Sequence, residues 1–269
     1  MNDVKQNGWE IIRFNGTIAS KINEEIATEY PLTIILNGEE FATMVCSPTN
    51  IQELVIGFLA SEGIIRLHEE IKNLSIDESQ GFAYVDLYKH IDISQQDHSK
   101  RFIGSCCGKS RQFYFKSDVR TAKTITSKLT ISVEQCYNLM NDLQLRSDQF
   151  RRTGGVHNAA LATTDELLEV CTDIGRHNAL DKVYGTVLKR KIPLSDKLIV
   201  FSGRISSEVL LKISKIGVGI ILSKSAPTDL ALNLASDLGI TTIGFARGNK
   251  MNVYTHPCRI EEVNIDSSK

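Results

Sequence analysis

Residues 198–245 read LIVFSGRISSEVLLKISKIGVGIILSKSAPTDLALNLASDLGITTIGF. Three short apolar runs, at 198–201, 218–222 and 240–245, alternate with two segments, 206–216 and 229–238, whose apolar residues recur at helical spacing. Gly217 and Gly239 follow those segments, where a glycine commonly ends a helix. Strand–helix–strand–helix–strand with short links dictates a parallel sheet covered by helices. The fold class is α/β.

Upstream of this block the pattern remains regular. Ser132 with Gln135 forms a capping-box pair opening a helix to about Leu145. Residues 158–163 and 167–172 read as hairpin strands about Thr164-Asp165, and Leu180, Val183, Tyr184 and Val187 mark one face of a further helix. The N-terminal third mixes β and α. Residues 31–47 hold two β-rich runs around Asn37-Gly38, a dipeptide suited to tight hairpins. Asn50, with Glu53 three residues on, is the expected N-cap of a helix through Phe58 that stops at Gly63. Residues 71–76 and 82–88 give a second strand pair. Residues 93–128 have weak periodicity and read as a long functional loop between two domains. The expected division is a smaller mixed α+β domain over 1–128 and a three-layer α/β/α domain over 129–269.

Composition narrows the function classes. The 269-residue chain has 42% hydrophobic and 23% charged residues and a formal net charge of −1. Those values describe an ordinary globular protein and argue against bulk electrostatic binding to nucleic acid or anionic membrane. No apolar run reaches membrane-spanning length, and residues 1–10 lack an apolar signal core, so a cytoplasmic location is expected. The six cysteines (46, 106, 107, 136, 171 and 258) contain no C-x-x-C spacing and read as reduced thiols. Cys136 on a helix face and Cys171 in a strand are expected in the core.

Two clusters can carry chemistry. Gly104-Ser105-Cys106-Cys107-Gly108-Lys109-Ser110-Arg111 sets two thiols between glycines, and the bases from Lys100 to Lys116 are not offset by any acid. Positive charge near a thiol favours the nucleophilic thiolate, and such neighbours do not describe a core. The second cluster lies where strands hand over to helices: residues 173–178, 202–208 and 223–228, joined by 245–250 at the last strand's end. In an open α/β sheet these turns share the ligand-binding edge, and each helix start offers free N–H groups to an anion. Arg176, Arg204, Lys224, Arg247 and Lys250 add charge suited to a multiply phosphorylated ligand. A zinc deaminase would need a glutamate after its histidine and cysteines at the second helix start. His177 is followed by Asn178-Ala179, and residues 202–207 contain no cysteine, so no metal site, and no zinc, is expected. One echo stands out: Gly155-Val156-His157-Asn158-Ala159 is matched by Gly175-Arg176-His177-Asn178-Ala179, the first copy entering a strand and the second starting a helix.

Residues 153–161, 173–183, 202–215, 223–231 and 244–254, with Cys107-Gly108-Lys109 upstream, closely resemble the formate dehydrogenase accessory sulfurtransferase family (FdhD), and the resemblance extends from Pro31 over nearly the whole chain. It implies a cytidine-deaminase-like C-terminal domain. It also implies a sulfurtransferase that takes sulfur from a cysteine desulfurase as a persulfide on Cys107 and passes it to molybdenum bis(molybdopterin guanine dinucleotide) before that cofactor enters formate dehydrogenase. GDP is then a surrogate ligand. By motif, Phe245, Ala246, Arg247, Gly248, Asn249 and Lys250 match the cofactor-contacting segment; Arg176, His177, Arg204, Ser206, Lys224 and Ser225 complete the expected site. Many members carry two cysteines separated by two residues; here the earlier position is Gly104, and Cys106 is the candidate assisting thiol. No nucleic-acid or membrane partner is expected, and a homodimer is left open. The alternative is a cofactor-binding chaperone without sulfur chemistry, in which Cys107 is dispensable.

Overall fold

The computed structural model describes residues 8–89, 101–103 and 122–266. Their mixed α/β architecture contains three sheets. β1 (Trp9–Asn15) and β2 (Ile18–Glu24) form a separate antiparallel ribbon. Asn15-Gly16 supplies its turn, with Gly16 at φ 61, a hairpin signal that the reading above passed over.

The second sheet runs β5-β6-β3-β4-β7, built from β3 (Tyr30–Leu36), β4 (Glu39–Cys46), β5 (Ile71–Asp77), β6 (Phe82–Leu87) and β7 (Arg101–Ile103). Asn37 and Gly38 both take positive φ, 50 and 87, as the tight turn requires. β7 corrects the expectation of one long loop over 93–128, because Arg101–Ile103 pairs in parallel with β4, placing Ile103 opposite Met44. Helix α1 (Ile51–Ser61) follows β4. Asn50 is its N-cap as expected, but it sits in the left-handed region at φ 51 and makes no side-chain capping bond.

The third sheet has the order β13-β12-β11-β10-β8-β9. Its centre is the block read first: β10 (Leu198–Phe201), β11 (Ile220–Ser223) and β12 (Thr241–Arg247) pair in parallel. Antiparallel strands extend it on both sides, β8 (His157–Ala162) with β9 (Leu167–Asp173), and β13 (Lys250–Thr255), which the alternation did not announce. Helices α2 (Val133–Leu145), α3 (Asp148–Thr153), α4 (Arg176–Arg190), α5 (Ser207–Ile216), α6 (Asp229–Leu238) and α7 (Glu261–Asp266), with short 3-10 turns at His68–Glu70 and Pro257–Arg259, complete the described elements. The Ser132–Gln135 capping box forms as expected, and Thr228 caps α6.

Alternate residues of the central strands face opposite layers. Ile199, Phe201 and Ile221 pack with α4, α5 and α6; Leu198, Val200, Ile220 and Leu222 pack with Cys136, Leu139, Met140 and Leu143 of α2. Burial on both faces explains why these strands read as unbroken apolar runs. The larger core continues through α1 to Leu32, Ile34 and Leu36 of the second sheet. At its centre α1 crosses α4 with backbones in contact. A Cβ on Gly57 would lie 1.8 Å from the Asp181 carbonyl oxygen, and one on Gly185 would lie 1.9 Å from that of Glu53.

Candidate functional site

The three strand-to-helix turns and the β12–β13 turn are zipped into one edge by short polar side chains. Thr172 Oγ1 donates to Asn158 Oδ1 at 2.6 Å, the Asn158 N–H donates to Ser202 Oγ at 2.9 Å, and the Ser202 N–H returns to the Asn158 carbonyl at 3.0 Å. Ser225 Oγ then donates to the Ser202 carbonyl at 2.9 Å, Ser223 Oγ to the Gly203 carbonyl at 2.8 Å, and the Phe245 N–H to the Ser225 carbonyl at 3.3 Å. The serines thus fix the turns relative to one another. Ser225, expected as a ligand residue, spends its proton inside the protein.

The first turn is bolted to the second sheet. Asp173 is fully buried and accepts from the N–H groups of Ser47 (2.9 Å) and Gly175 (2.8 Å), from Asn178 Nδ2 (2.9 Å) and from Lys182 Nζ (2.7 Å). Asn178 Nδ2 also donates to the Val45 carbonyl at 2.9 Å, and the equally buried Lys182 reaches the carbonyls of Thr172 and Ser47. Neither Asp173 nor Lys182 had been given a role from sequence. The available signal was a lysine beside the apolar stripe of a helix whose other face is polar.

The starts of α4 and α5 face each other. A Cβ on Gly203 would meet Arg176 Cβ at 3.2 Å. His177 Nε2 lies 3.3 Å from Glu208 Oε2 but off the line of a hydrogen bond, and among the described residues it has no hydrogen-bond partner; neither has the buried Oγ of Ser206. Ser206 is the N-cap of α5 without capping it. Burial, with Lys212, Arg176 and His157 nearby, holds the His177 imidazole neutral by pushing its pKa down to about 3. His157 is lowered by burial and by Arg176. The two copies of the echo therefore do sit in different elements, a strand and a helix, and bring their histidines to one place. Arg204 is exposed beside them. Glu208 was quoted from sequence without a role.

The remaining expected residues form a second group along the edge. Phe245 holds a left-handed backbone at φ 53 within a register shift of β12 and exposes 40% of its surface. The Arg247 guanidinium stands 5.8 Å from its ring centroid while Arg247 Nε donates to the Lys224 carbonyl at 2.9 Å. Gly248 and Asn249 make the exposed turn into Lys250, and Ala246 is buried in the α2-side core. Lys224 Nζ reaches Gln144 of α2 at 3.2 Å, so this base is turned to the opposite layer from Arg176. The five bases line one edge in two groups.

Cys106 and Cys107 lie outside the described residues. The last described residue before them, Ile103, lies opposite Met44, the neighbour in sequence of Val45, whose carbonyl Asn178 holds. Cys46, Cys136 and Cys171 are buried, with thiols pushed up to about 12, so none carries thiolate at neutral pH. No group of three or more His, Cys, Asp or Glu among the described residues could hold a metal ion. No described helix is long and apolar enough to cross a membrane.

Residues 27–261 match the sequence profile of the FdhD/NarQ family. The sulfur carrier protein FdhD of Bacillus subtilis (strain 168) is 58% identical over 262 residues, covering 97% of this chain and 100% of that protein. The protein of the same description from Geobacillus kaustophilus is 60% identical over 237 residues, 88% of this chain and 90% of that one. A crystal structure described as a formate dehydrogenase accessory protein, from Desulfotalea psychrophila, superposes with a TM-score of 0.77 at 25% identity, covering 94% of this chain and 98% of that one.

Proposed function

Because the chain belongs to the FdhD/NarQ family, we propose that it is a sulfur carrier protein for formate dehydrogenase that loads a persulfide on Cys107 and delivers the sulfur to a molybdopterin guanine dinucleotide cofactor held at the edge described above. The observation that carries this reading is that edge: three helix starts and Arg176, Arg204, Lys224, Arg247 and Lys250 on one rim. Backbone N–H groups and bidentate guanidinium groups suit pyrophosphate. The cofactor is cargo, and the chain's part is to grip its phosphates and to present a thiolate.

The sulfur enters by transfer of a sulfane atom from the persulfide of a cysteine desulfurase to the Cys107 thiolate, leaving the donor as a thiolate. Basic neighbours Lys109 and Arg111 favour the anionic form that this exchange needs, and Cys106 is the adjacent assisting thiol. On this reading the chain is a cytoplasmic sulfurtransferase, its two domains divide near residue 128, and the third sheet is of cytidine-deaminase-like type. The mixed strand order and a histidine at the helix start after a hairpin support that last comparison.

Cys107→Ser tests the scheme. The variant should fold, bind GDP as the wild type does, and show no added sulfur by intact-protein mass spectrometry after incubation with a desulfurase and cysteine. Full activation of formate dehydrogenase by this variant would refute the carrier role of Cys107.

A further inference from the structure

Glu208 is a partly buried carboxylate that accepts no hydrogen bond from the described residues. Of the acids in or next to these turns, Asp173 is consumed inside the protein by Lys182, Ser47 and Asn178, and Asp229 stands exposed at the start of α6. Glu208, one-third exposed, receives no hydrogen bond among the described residues, and its nearest ionisable neighbour is His177. The α5 dipole makes a carboxylate favourable in the first turn but supplies it with no directed donor. Beside it, His177 Nε2 and Ser206 Oγ are buried polar atoms with no hydrogen-bond partner among the described residues. These three groups have unused capacity, whereas the side chains of Ser202, Ser223 and Ser225 are engaged between the turns, and they mark a place built for a ligand.

We infer that Glu208 reads a 2-amino-4-oxo-pyrimidine edge, the pair of adjacent N–H donors shared by guanine and pterins, at the junction of α4 and α5. A carboxylate accepts two parallel N–H bonds from such an edge, and the match is charge-assisted. Adenine presents a ring acceptor where guanine presents a donor, so it leaves one carboxylate oxygen without a partner. A neutral His177 does not compete as a counter-ion, and Ser206 Oγ can serve the ring's remaining polar atoms. The surrounding bases take the anionic part of the same ligand. This inference rests on the cofactor reading above and adds to it the residue that chooses the base. Each dinucleotide of the proposed cargo carries this edge twice, in its guanine and in its pterin.

Titration calorimetry with GDP, ADP and neopterin, on wild type and on Glu208→Gln, separates the sources. Wild type should hold GDP at least roughly ten-fold more tightly than ADP, because a site built for N–H donors rejects a ligand lacking them. In Glu208→Gln, GDP binding should fall by roughly ten-fold while ADP, held by its phosphates, stays within about two-fold. Loss confined to GDP assigns the edge to guanine, and loss confined to neopterin assigns it to the pterin. Unchanged GDP and neopterin binding in the variant overturns the inference while leaving the nucleotide site standing. A wild type that binds none of the three overturns the cofactor reading itself, and this inference with it. A wild type that binds GDP no more tightly than ADP and does not bind neopterin overturns the inference without any variant, so the test stands even if Glu208→Gln is poorly folded.

Discussion

Lys182 is among the most deeply buried side chains of the molecule, and its charge is matched by Asp173 at 2.7 Å. Removing one partner strands the other charge in the interior, which typically costs about 3–5 kcal/mol, whereas removing both is often close to neutral. Lys182→Met should therefore lower stability in urea by several kcal/mol, and Asp173→Asn added to it should recover most of the loss. A double variant no better than the single one would mean that the pair is not coupled. His177 makes a prediction in pH. Its folded pKa is depressed to about 3 from the ordinary 6.5, so between those values the unfolded chain binds the extra proton. Its contribution to stability is complete above pH 6.5 and is lost progressively as pH falls towards 3. His177→Gln should flatten that stretch of the stability curve relative to wild type. These residues mark the limit of legibility at this scale. The histidine and the bases were visible as letters, but which serine is spent on a neighbouring turn, or that Lys224 turns to Gln144, depends on contacts 20 to 80 residues apart in the chain.

At the scale of elements, the crossing of α1 and α4 is the tightest contact. Alanine normally favours a helix over glycine by about 1 kcal/mol. At Gly185 the added methyl would meet the Glu53 carbonyl oxygen at 1.9 Å, so the helices must separate. Overpacking of this kind costs about 1–3 kcal/mol or more. Gly185→Ala should lower the urea midpoint despite its better propensity, and a raised midpoint would show that the helices part freely. Which elements were legible follows the same physics. The β10–α5–β11–α6–β12 block was plain because strands buried on two faces and helices stopped by Gly217 and Gly239 leave strong patterns. β7 is three residues long and α3 six, too short for any period to emerge. β13 reads KMNVYT with polar alternation, typical of an edge strand but easily taken for a loop tail.

Across the whole molecule, stability is unevenly spread. The β1–β2 ribbon stands outside both cores, with Trp9, Phe14 and Ile18 at least two-thirds exposed. A lone two-stranded ribbon contributes little by itself. Deleting residues 1–24 should therefore shift the thermal midpoint by no more than about 4 °C, the equivalent of roughly 1 kcal/mol in a chain of this size. A larger fall would show that the ribbon is integral to the fold. The rest behaves differently, because one core runs from Leu32 of the second sheet to Ile240 beside the third, and Asp173 grips Ser47 across the same seam. The covalent link through residues 104–121 is then not what keeps the halves together. Two separately made polypeptides, 1–103 and 122–269, should find each other in solution and rebuild the protein as a non-covalent complex. That complex would lack Cys106 and Cys107 but keep the turns of the third sheet.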